Sequence, residues 1–167
     1  MRVIRRLTIK GGVFLIAVSS CLAGIECRYN GSHSLVAKIE ELVAQSKAVL
    51  ICPELLGGFS TPRDSAEIVG GTGEDVLVGK AKVIERSGKD VTELYIKGAY
   101  KALNIVQEIN AQYVVLKENS PSCGSNMIYS GEFSNTKKAG KGVTAALFKK
   151  EGIKFISEEQ FLNTNLV

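Results

Sequence analysis

Four cysteines, Cys21, Cys27, Cys52 and Cys123, give this sequence its widest range of chemistry. No two of them form a CxxC pair of the kind that marks many zinc and redox sites. An even number permits two disulfides in a secreted protein, but a chain of 167 residues can bury an adequate core without crosslinks. Cysteines otherwise bind metals as thiolates or pack as small apolar side chains. The position of each cysteine in the fold decides between these roles.

Polar residues accompany two of the cysteines. Glu54 stands two positions after the third cysteine in CPELLGG, and Ser120 and Ser122 flank the fourth in KENSPSCGS. A carboxylate at the end of a strand commonly acts as a general acid or base. The alternatives are ordinary, with Glu54 as a solvated carboxylate or an ion-pair partner of Arg63 and the serines as turn residues.

Other catalytic motifs receive no support from the sequence. His33 is the one histidine, and its place just before a predicted helix favours a surface position over a role in a catalytic triad. The glycine pairs at 57–58 and 70–71 do not belong to GxGxxG or GxxxxGK patterns. A loop that binds nucleotide phosphates is therefore not indicated.

The elements that must position the cysteines and Glu54 are visible as apolar runs and helical repeats. The apolar runs predict short buried strands, and recurrence at helical spacing predicts amphipathic helices. The region 55–90 is rich in glycine and predicts a loop with small strands, including a hairpin of DVLVG with AKVIER. The predicted strands are 14–20, 48–54, 113–119 and 154–159; the predicted helices are 34–47, capped by Ser34, 92–110, capped by Thr92, and 144–151.

This alternation of strands and helices predicts an α/β fold with an open, mostly parallel, Rossmann-like sheet flanked by helices, forming one domain over residues 13–167. The carboxyl ends of parallel strands share one edge, where ligands bind. Cys21, Cys52 and Cys123 each come at or just after the end of a predicted strand, so we expect them to converge. Three thiols at one edge favour a metal or an iron–sulfur cluster. Either Cys27 is a fourth ligand, or one iron keeps an open position.

Charge gives no support to a nucleic-acid partner. The chain carries 21 basic and 17 acidic residues, but four basic residues and no acidic one fall in the first ten positions. The remainder therefore balances at 17 against 17. An excess confined to the amino terminus does not predict a basic face on the domain.

The amino terminus permits two interpretations. A basic head followed by VFLIAVSSC is typical of a bacterial lipoprotein signal, in which Cys21 would be lipidated. The same residues predict the first strand of the sheet, and cleavage before Cys21 would remove that strand. We therefore predict the strand, with residues 1–12 as an extension from a mis-called start. No run reaches the roughly 20 apolar residues of a membrane span. A cluster-binding protein is expected in the reducing cytoplasm.

Several blocks of the sequence resemble the bacterial 2-thiouracil desulfurase family, formerly a domain of unknown function. The blocks are SSCLAGIECRYNG, ICPELLGGFSTPR, GEDVLVGKAKV, DVTELYIKGA, LKENSPSCGS, IYSGEFS and GKGVTAAL, in this order. The resemblance covers the chain from about Leu15 to Glu159.

The resemblance implies a 4Fe-4S cluster held by Cys21, Cys52 and Cys123, with the fourth iron open to the sulfur of a thiolated pyrimidine. It implies removal of that sulfur from thiouracil without net redox change, giving uracil and hydrosulfide. Within this scheme we predict that Glu54 activates water and that Ser120 assists the leaving sulfur. Ser122 is predicted to bind the substrate.

The sequence leaves two other functions open. The cysteines could hold zinc or a cluster in a non-catalytic or redox-sensing protein. Alternatively, the chain could remove sulfur from thiolated nucleosides in transfer RNA. The balanced charge of the domain argues against the second, because phosphate contacts require lysine and arginine at the site.

Overall fold

A computed structural model of the protein describes residues 15–164. The predictions about the first twelve residues lie outside this part of the chain. The strands are β1 (Ile16–Ser19), β2 (Ala48–Ile51), β3 (Ala66–Val69), β4 (Lys82–Glu85), β5 (Val114–Leu116), β6 (Met127–Tyr129), β7 (Lys137–Ala139) and β8 (Phe155–Ser157). The helices are α1 (Ala37–Ala44), α2 (Pro53–Gly57), α3 (Gly73–Leu77), α4 (Thr92–Glu108), α5 (Val143–Lys150) and α6 (Glu158–Leu162), and a 3₁₀ turn spans Ser20–Ala23.

The central sheet has four parallel strands in the order β2-β1-β5-β8. All four residues of β1 and all three of β5 are buried. Strands covered by helices on both faces read as continuous apolar runs, which is why the sequence indicated them. The predicted α/β class with an open parallel sheet, flanking helices and small hairpins is confirmed.

Two apolar cores lie on the two faces of the sheet. Ala17 of β1 packs in one core, together with inward residues of α4 and α5 such as Ala99 and Phe148. Ile16 and Val18 pack in the other, together with residues of α1 and α6. Successive residues of a strand point to opposite faces, so β1 contributes to both cores. Among the described residues no helix is long and apolar enough to cross a membrane.

Two antiparallel hairpins lie beside the sheet, β3 with β4 and β6 with β7. The predicted hairpin of DVLVG with AKVIER was wrong in its first strand, because DVLVG begins inside α3 and the partner of β4 is Ala66–Val69. The carboxylate of Asp75 accepts the backbone N–H of Thr72 at 2.9 Å. This contact satisfies a donor at the start of α3 and favours a helix over a strand.

Several predicted element ends differ from the structure. α1 begins at Ala37 instead of after Ser34, because Val36 still has an extended backbone, and no side chain caps the helix. Thr92 is the first residue of α4 and not its cap. β2 ends at Ile51, before Pro53, and Pro53 is the first residue of α2, a position that suits proline. The last predicted strand ends at Ser157, whose hydroxyl accepts the amide of Gln160 and starts α6.

Helix α2, which carries Glu54, lies against α4 through two glycines. An added Cβ at Gly57 would overlap the carbonyl of Leu94, and one at Gly98 would overlap the carbonyl of Pro53. Both overlaps involve backbone atoms, so a side chain at either glycine would push the helices apart. The orientation of α2 therefore depends on this close approach.

Gly98→Ala is expected to lower the free energy of unfolding by about 1–3 kcal/mol, because overpacking outweighs the gain of about 1 kcal/mol from better helix propensity. Urea unfolding would measure the change. Lys101→Ala, on the exposed side of α4, is the control and is expected to stay within about 0.5 kcal/mol of the unaltered chain. Equal or higher stability of Gly98→Ala would contradict the proposed close approach.

Candidate active site

A cavity of about 250 Å³ opens at the carboxyl edge of the parallel sheet. From β1 the chain continues first to β2 on one side and later to β5 on the other, so the strand order reverses beside β1. Crevices at such reversals are the usual ligand sites of open α/β sheets. Five of the six predicted site residues line this cavity: Cys21, Cys52, Cys123, Glu54 and Ser120.

The three predicted ligands come from three different strand ends. Cys21 lies in the 3₁₀ turn after β1, Cys52 directly precedes α2 after β2, and Cys123 lies in the loop after β5. Cys27 also lines the cavity, so four thiols surround one space. All four cysteines are free, and each is buried except Cys52, which is half-buried. The expected convergence of the cysteines is thus present in the fold.

The thiols influence one another. A hydrogen bond to Cys21 is the main reason that the pKa of Cys27 is raised to about 11. A hydrogen bond to Cys27, followed by burial, raises the pKa of Cys52 far above its usual value. Burial, and then the charge of Glu54, raises the pKa of Cys123 to about 12. A metal centre bound here would have to displace thiol protons as it binds.

Glu54 lies half-buried between an arginine and a tyrosine. Its Oε2 forms an ion pair with Arg63, whose side chain is 5% exposed against 15% for Glu54. Its Oε1 accepts the hydroxyl of Tyr95 at 3.3 Å. Arg63 also donates to the carbonyl of Cys27 at 3.0 Å, which ties Glu54 to the loop that carries the fourth thiol. The sequence left an ion pair with Arg63 as an alternative role for Glu54. In the structure Glu54 forms that ion pair and also lines the cavity.

Burial raises the pKa of Tyr95 well above its usual value, and the charge of Glu54 adds to the effect. The tyrosine therefore remains protonated and donates to the carboxylate. Its ring packs edge-on against Phe59, with centroids 5.1 Å apart. Two donors thus fix the orientation of the Glu54 carboxylate beside the thiols.

Ser120 and Ser122 have different surroundings. The hydroxyl oxygen of Ser120 accepts the amides of Ser122 and Cys123 at 3.0 and 3.1 Å, so it shapes the loop around Cys123. Its own proton has no acceptor among residues 15–164. Ser122 is 1% exposed, does not line the cavity, and shares a hydrogen bond of 2.8 Å with Thr144. The predicted contact of Ser122 with substrate gains no support from this position.

Glu118, two residues after the end of β5, organises the same loop. Its Oε1 accepts the backbone amides of Ser125, Asn126 and Met127 at 2.8–3.0 Å. Burial raises its pKa, but these hydrogen bonds outweigh burial and hold the pKa below its usual range. The carboxylate is therefore ionised in the folded protein and fixes the chain that follows Cys123.

Glu118→Gln is expected to lower the free energy of unfolding at neutral pH by about 1–3 kcal/mol, because glutamine keeps the shape but loses the charge that the amides face. Since the folded pKa is lowered, this stabilisation is complete above the unfolded pKa of about 4.3 and is lost as pH falls through the folded value. Urea unfolding at several pH values should show the difference from the unaltered chain shrinking in acid. Glu132→Gln, an exposed carboxylate, is the control. A difference that stayed constant with pH would rule out the proposed role of the charge.

The two hairpins also contribute residues to the cavity wall. Glu67 of β3 accepts the amides of Gly131 and Phe133 at 2.8 and 3.1 Å and so anchors the loop after β6. Arg86, just after β4, lies over the ring of Phe133 at 5.8 Å. Glu67, Arg86 and Tyr129 all line the cavity. The hairpins that interrupt the α/β pattern therefore complete the site.

The sequence did not single out Tyr95, Glu118 or the hairpin residues of the site. Glu118 lies near the carboxyl end of the predicted strand 113–119, and that position could have indicated a place in the site. Tyr95 is 41 positions from Glu54, and nothing in the spacing predicts their hydrogen bond. His33 is exposed, as expected.

A compact site for a single ion is not present in the described chain. Within residues 15–164, no three His, Cys, Asp or Glu side chains are grouped so that they could hold one metal ion. Metal binding by the cysteines therefore stays a proposal.

The parallel sheet, the thiol-lined cavity at its carboxyl edge and the carboxylate beside the thiols define an α/β protein with a candidate cofactor site. The chain belongs to the 2-thiouracil desulfurase family, whose profile matches residues 16–160. The predicted family is thereby confirmed.

Two proteins of known sequence or structure are similar to this chain. One is the uncharacterized protein YbbK of Bacillus subtilis (strain 168), which is 64% identical over 146 residues, 87% of this chain and 97% of YbbK. The other is a solved structure described as the [4Fe-4S]-dependent thiouracil desulfidase TudS. It is 38% identical, with a TM-score of 0.79 over 90% of this chain and 94% of TudS.

Proposed function

We propose that this protein removes the sulfur of a thiolated uracil, giving uracil and hydrosulfide without net redox change. The observation that carries the proposal is the joint presence of Cys21, Cys52, Cys123 and Glu54 in one cavity at the reversal of strand order. Similarity to a thiouracil desulfidase supports it.

The donors fit a 4Fe-4S cluster, because cysteine thiols are the usual ligands of such clusters and each cysteine binds its own iron. We assign Cys21, Cys52 and Cys123 as the ligands and leave Cys27 as a neighbouring thiol. When bound, the cluster would supply a Lewis-acidic iron with one open position and a preference for soft donors such as a thiocarbonyl. The reducing cytoplasm remains the predicted compartment.

Glu54 is the proposed general base. A water molecule adds to the ring carbon that carries sulfur, and the Glu54 carboxylate takes its proton. A carbon–oxygen bond forms and the carbon–sulfur bond then breaks with the electron pair leaving on sulfur, so the carbon keeps its oxidation state. Arg63 and Tyr95 hold the carboxylate in place during this transfer.

Ser120 is the proposed donor to the leaving sulfur. Its oxygen is occupied by two backbone amides, whereas its proton is available to a ligand in the cavity. A hydroxyl fixed in this way can stabilise negative charge that develops on sulfur without reorganising.

Anaerobic purification with iron and sulfide counts, followed by consumption of 4-thiouracil, tests the proposal. About four irons per chain and loss of the thiocarbonyl absorbance are expected. A folded protein without iron after anaerobic reconstitution would remove the cluster. Iron without turnover would instead favour a cluster with a structural or sensing role, and a colourless zinc protein would favour a zinc site.

A further inference from the structure

Asn119 stands between the Glu118 carboxylate and the proposed donor Ser120, and it lines the same cavity. Its backbone is left-handed, with φ at 69°, a conformation that asparagine adopts more readily than most residues. An isolated bridge pairs Asn119 with Ile128 of β6. The backbone at this position is therefore held by its pairing with Ile128 and by the bond of its N–H to the Glu118 carboxylate at 3.4 Å.

The side chain of Asn119 makes no hydrogen bond to the described part of the chain, unlike the carboxylate of Glu118 and the hydroxyl oxygen of Ser120. Glu118 takes the amides of residues 125–127, and Ser120 takes those of Ser122 and Cys123. The carboxamide of Asn119, half-buried, has no hydrogen-bond partner within residues 15–164. A carboxamide offers two N–H donors and an accepting oxygen, all open to a polar ligand that enters the cavity. Its position suits recognition of a polar ligand.

The charged side chains of the cavity wall have protein partners, including Arg28, which donates to the hydroxyl of Ser32 at 3.2 Å. Glu67 binds the loop after β6, Lys117 pairs with Glu158 at 2.6 Å, and Arg86 donates to the carbonyl of Phe133 at 3.5 Å. Asn135, a second carboxamide at the cavity, is exposed. Asn119 therefore remains as the half-buried amide next to the residues proposed to act on sulfur.

We propose that the carboxamide of Asn119 recognises the N3–H edge of the thiolated base, an inference that rests on the proposed function. In both 2-thiouracil and 4-thiouracil, N3–H lies between the thiocarbonyl and a carbonyl. The amide oxygen of Asn119 accepts N3–H, and its N–H donates to the adjacent carbonyl. Because Asn119 lines the same cavity as Ser120 and the thiols, a base held in this way can present its sulfur to them. Asn119 thus selects and orients the ring.

Binding of uracil and 3-methyluracil tests this inference, because these bases are not consumed and differ at N3. Asn119→Gly removes the amide while keeping the left-handed backbone without steric cost. Asn110→Gly is the matched control, since Asn110 is also left-handed, with φ at 51°, and does not line the cavity. Iron counts and absorbance spectra first establish that all variants carry the same amount of cluster. Calorimetric titration of these reconstituted samples then measures the binding of each base.

The unaltered chain and Asn110→Gly are expected to bind uracil about tenfold to a hundredfold more tightly than 3-methyluracil. Asn119→Gly is expected to bind both bases equally, at the weaker level. A preference that persists in Asn119→Gly, or an unaltered chain with no preference or no binding, would overturn the inference.

Turnover of 4-thiouracil by the same samples separates this inference from the proposed function. If the unaltered chain does not turn over 4-thiouracil, desulfuration is refuted. If Asn119→Gly nevertheless loses the preference for uracil over 3-methyluracil, Asn119 remains a base-binding residue. Turnover with an unchanged preference in Asn119→Gly would refute only the role of Asn119.

Discussion

Cys123→Ala is expected to abolish cluster binding, reducing iron from about four per chain to below about one. Three thiols are already one fewer than the usual set, and two cannot retain a four-iron cluster during purification. Cys123 is 6% exposed and belongs both to the cavity wall and to an apolar core, so alanine removes the proposed ligand with little change of surface. Iron and sulfide counts after anaerobic reconstitution, with the visible absorbance, measure the effect.

Cys27→Ala is the matched comparison, because Cys27 lines the same cavity and is equally buried. It is expected to retain the full iron count, and thermal unfolding should show that both variants are folded. Full iron in Cys123→Ala would refute its role as a ligand. Loss of iron in Cys27→Ala would instead assign Cys27 to the ligand set.

Glu54→Gln is expected to lower kcat by about a hundredfold or more while iron content stays unchanged. Glutamine keeps the shape of the side chain and an oxygen that can accept from Arg63 or Tyr95, but it cannot take a proton from water. The neighbouring buried Arg63 loses its countercharge, so we also expect a loss of about 1–3 kcal/mol in the free energy of unfolding. Assays well below the melting temperature separate the two effects.

Glu93→Gln serves as the control for Glu54→Gln, because Glu93 is an exposed carboxylate in the first turn of the helix that carries Tyr95. Its turnover is expected to match that of the unaltered chain. Full turnover by Glu54→Gln would show that another group activates water. Loss of iron in Glu54→Gln would show that the carboxylate supports the cluster instead of the chemistry.

The sequence predicted the sheet and the convergence of the cysteines for one physical reason. The buried parallel strands are apolar on both faces, so β1, β2 and β5 stand out as continuous apolar runs. Parallel strands place their carboxyl ends at one edge, which brings Cys21, Cys52 and Cys123 together although they are far apart in the chain. The long helix α4 was visible because its apolar residues recur at helical spacing.

The sequence was less informative where elements are short. β6 and β7 have three residues each, too few to show an alternating pattern, and neither was predicted. DVLVG resembles a strand in composition, yet the contact between Thr72 and Asp75 starts α3 there. Local hydrogen bonds of this kind override the preference of valine for strands.

By itself, then, the sequence determined the α/β class, the edge of the sheet that carries the thiols and the presence of Glu54 beside them. These features follow from hydrophobic pattern and chain direction, which are local properties. Only the tertiary structure decided that Arg63, one of the alternatives for Glu54, holds it together with Tyr95, that Glu118 fixes the loop of Cys123, and that residues of two hairpins line the cavity. These contacts join residues whose separation in the chain carries no periodic signal, so packing alone selects them.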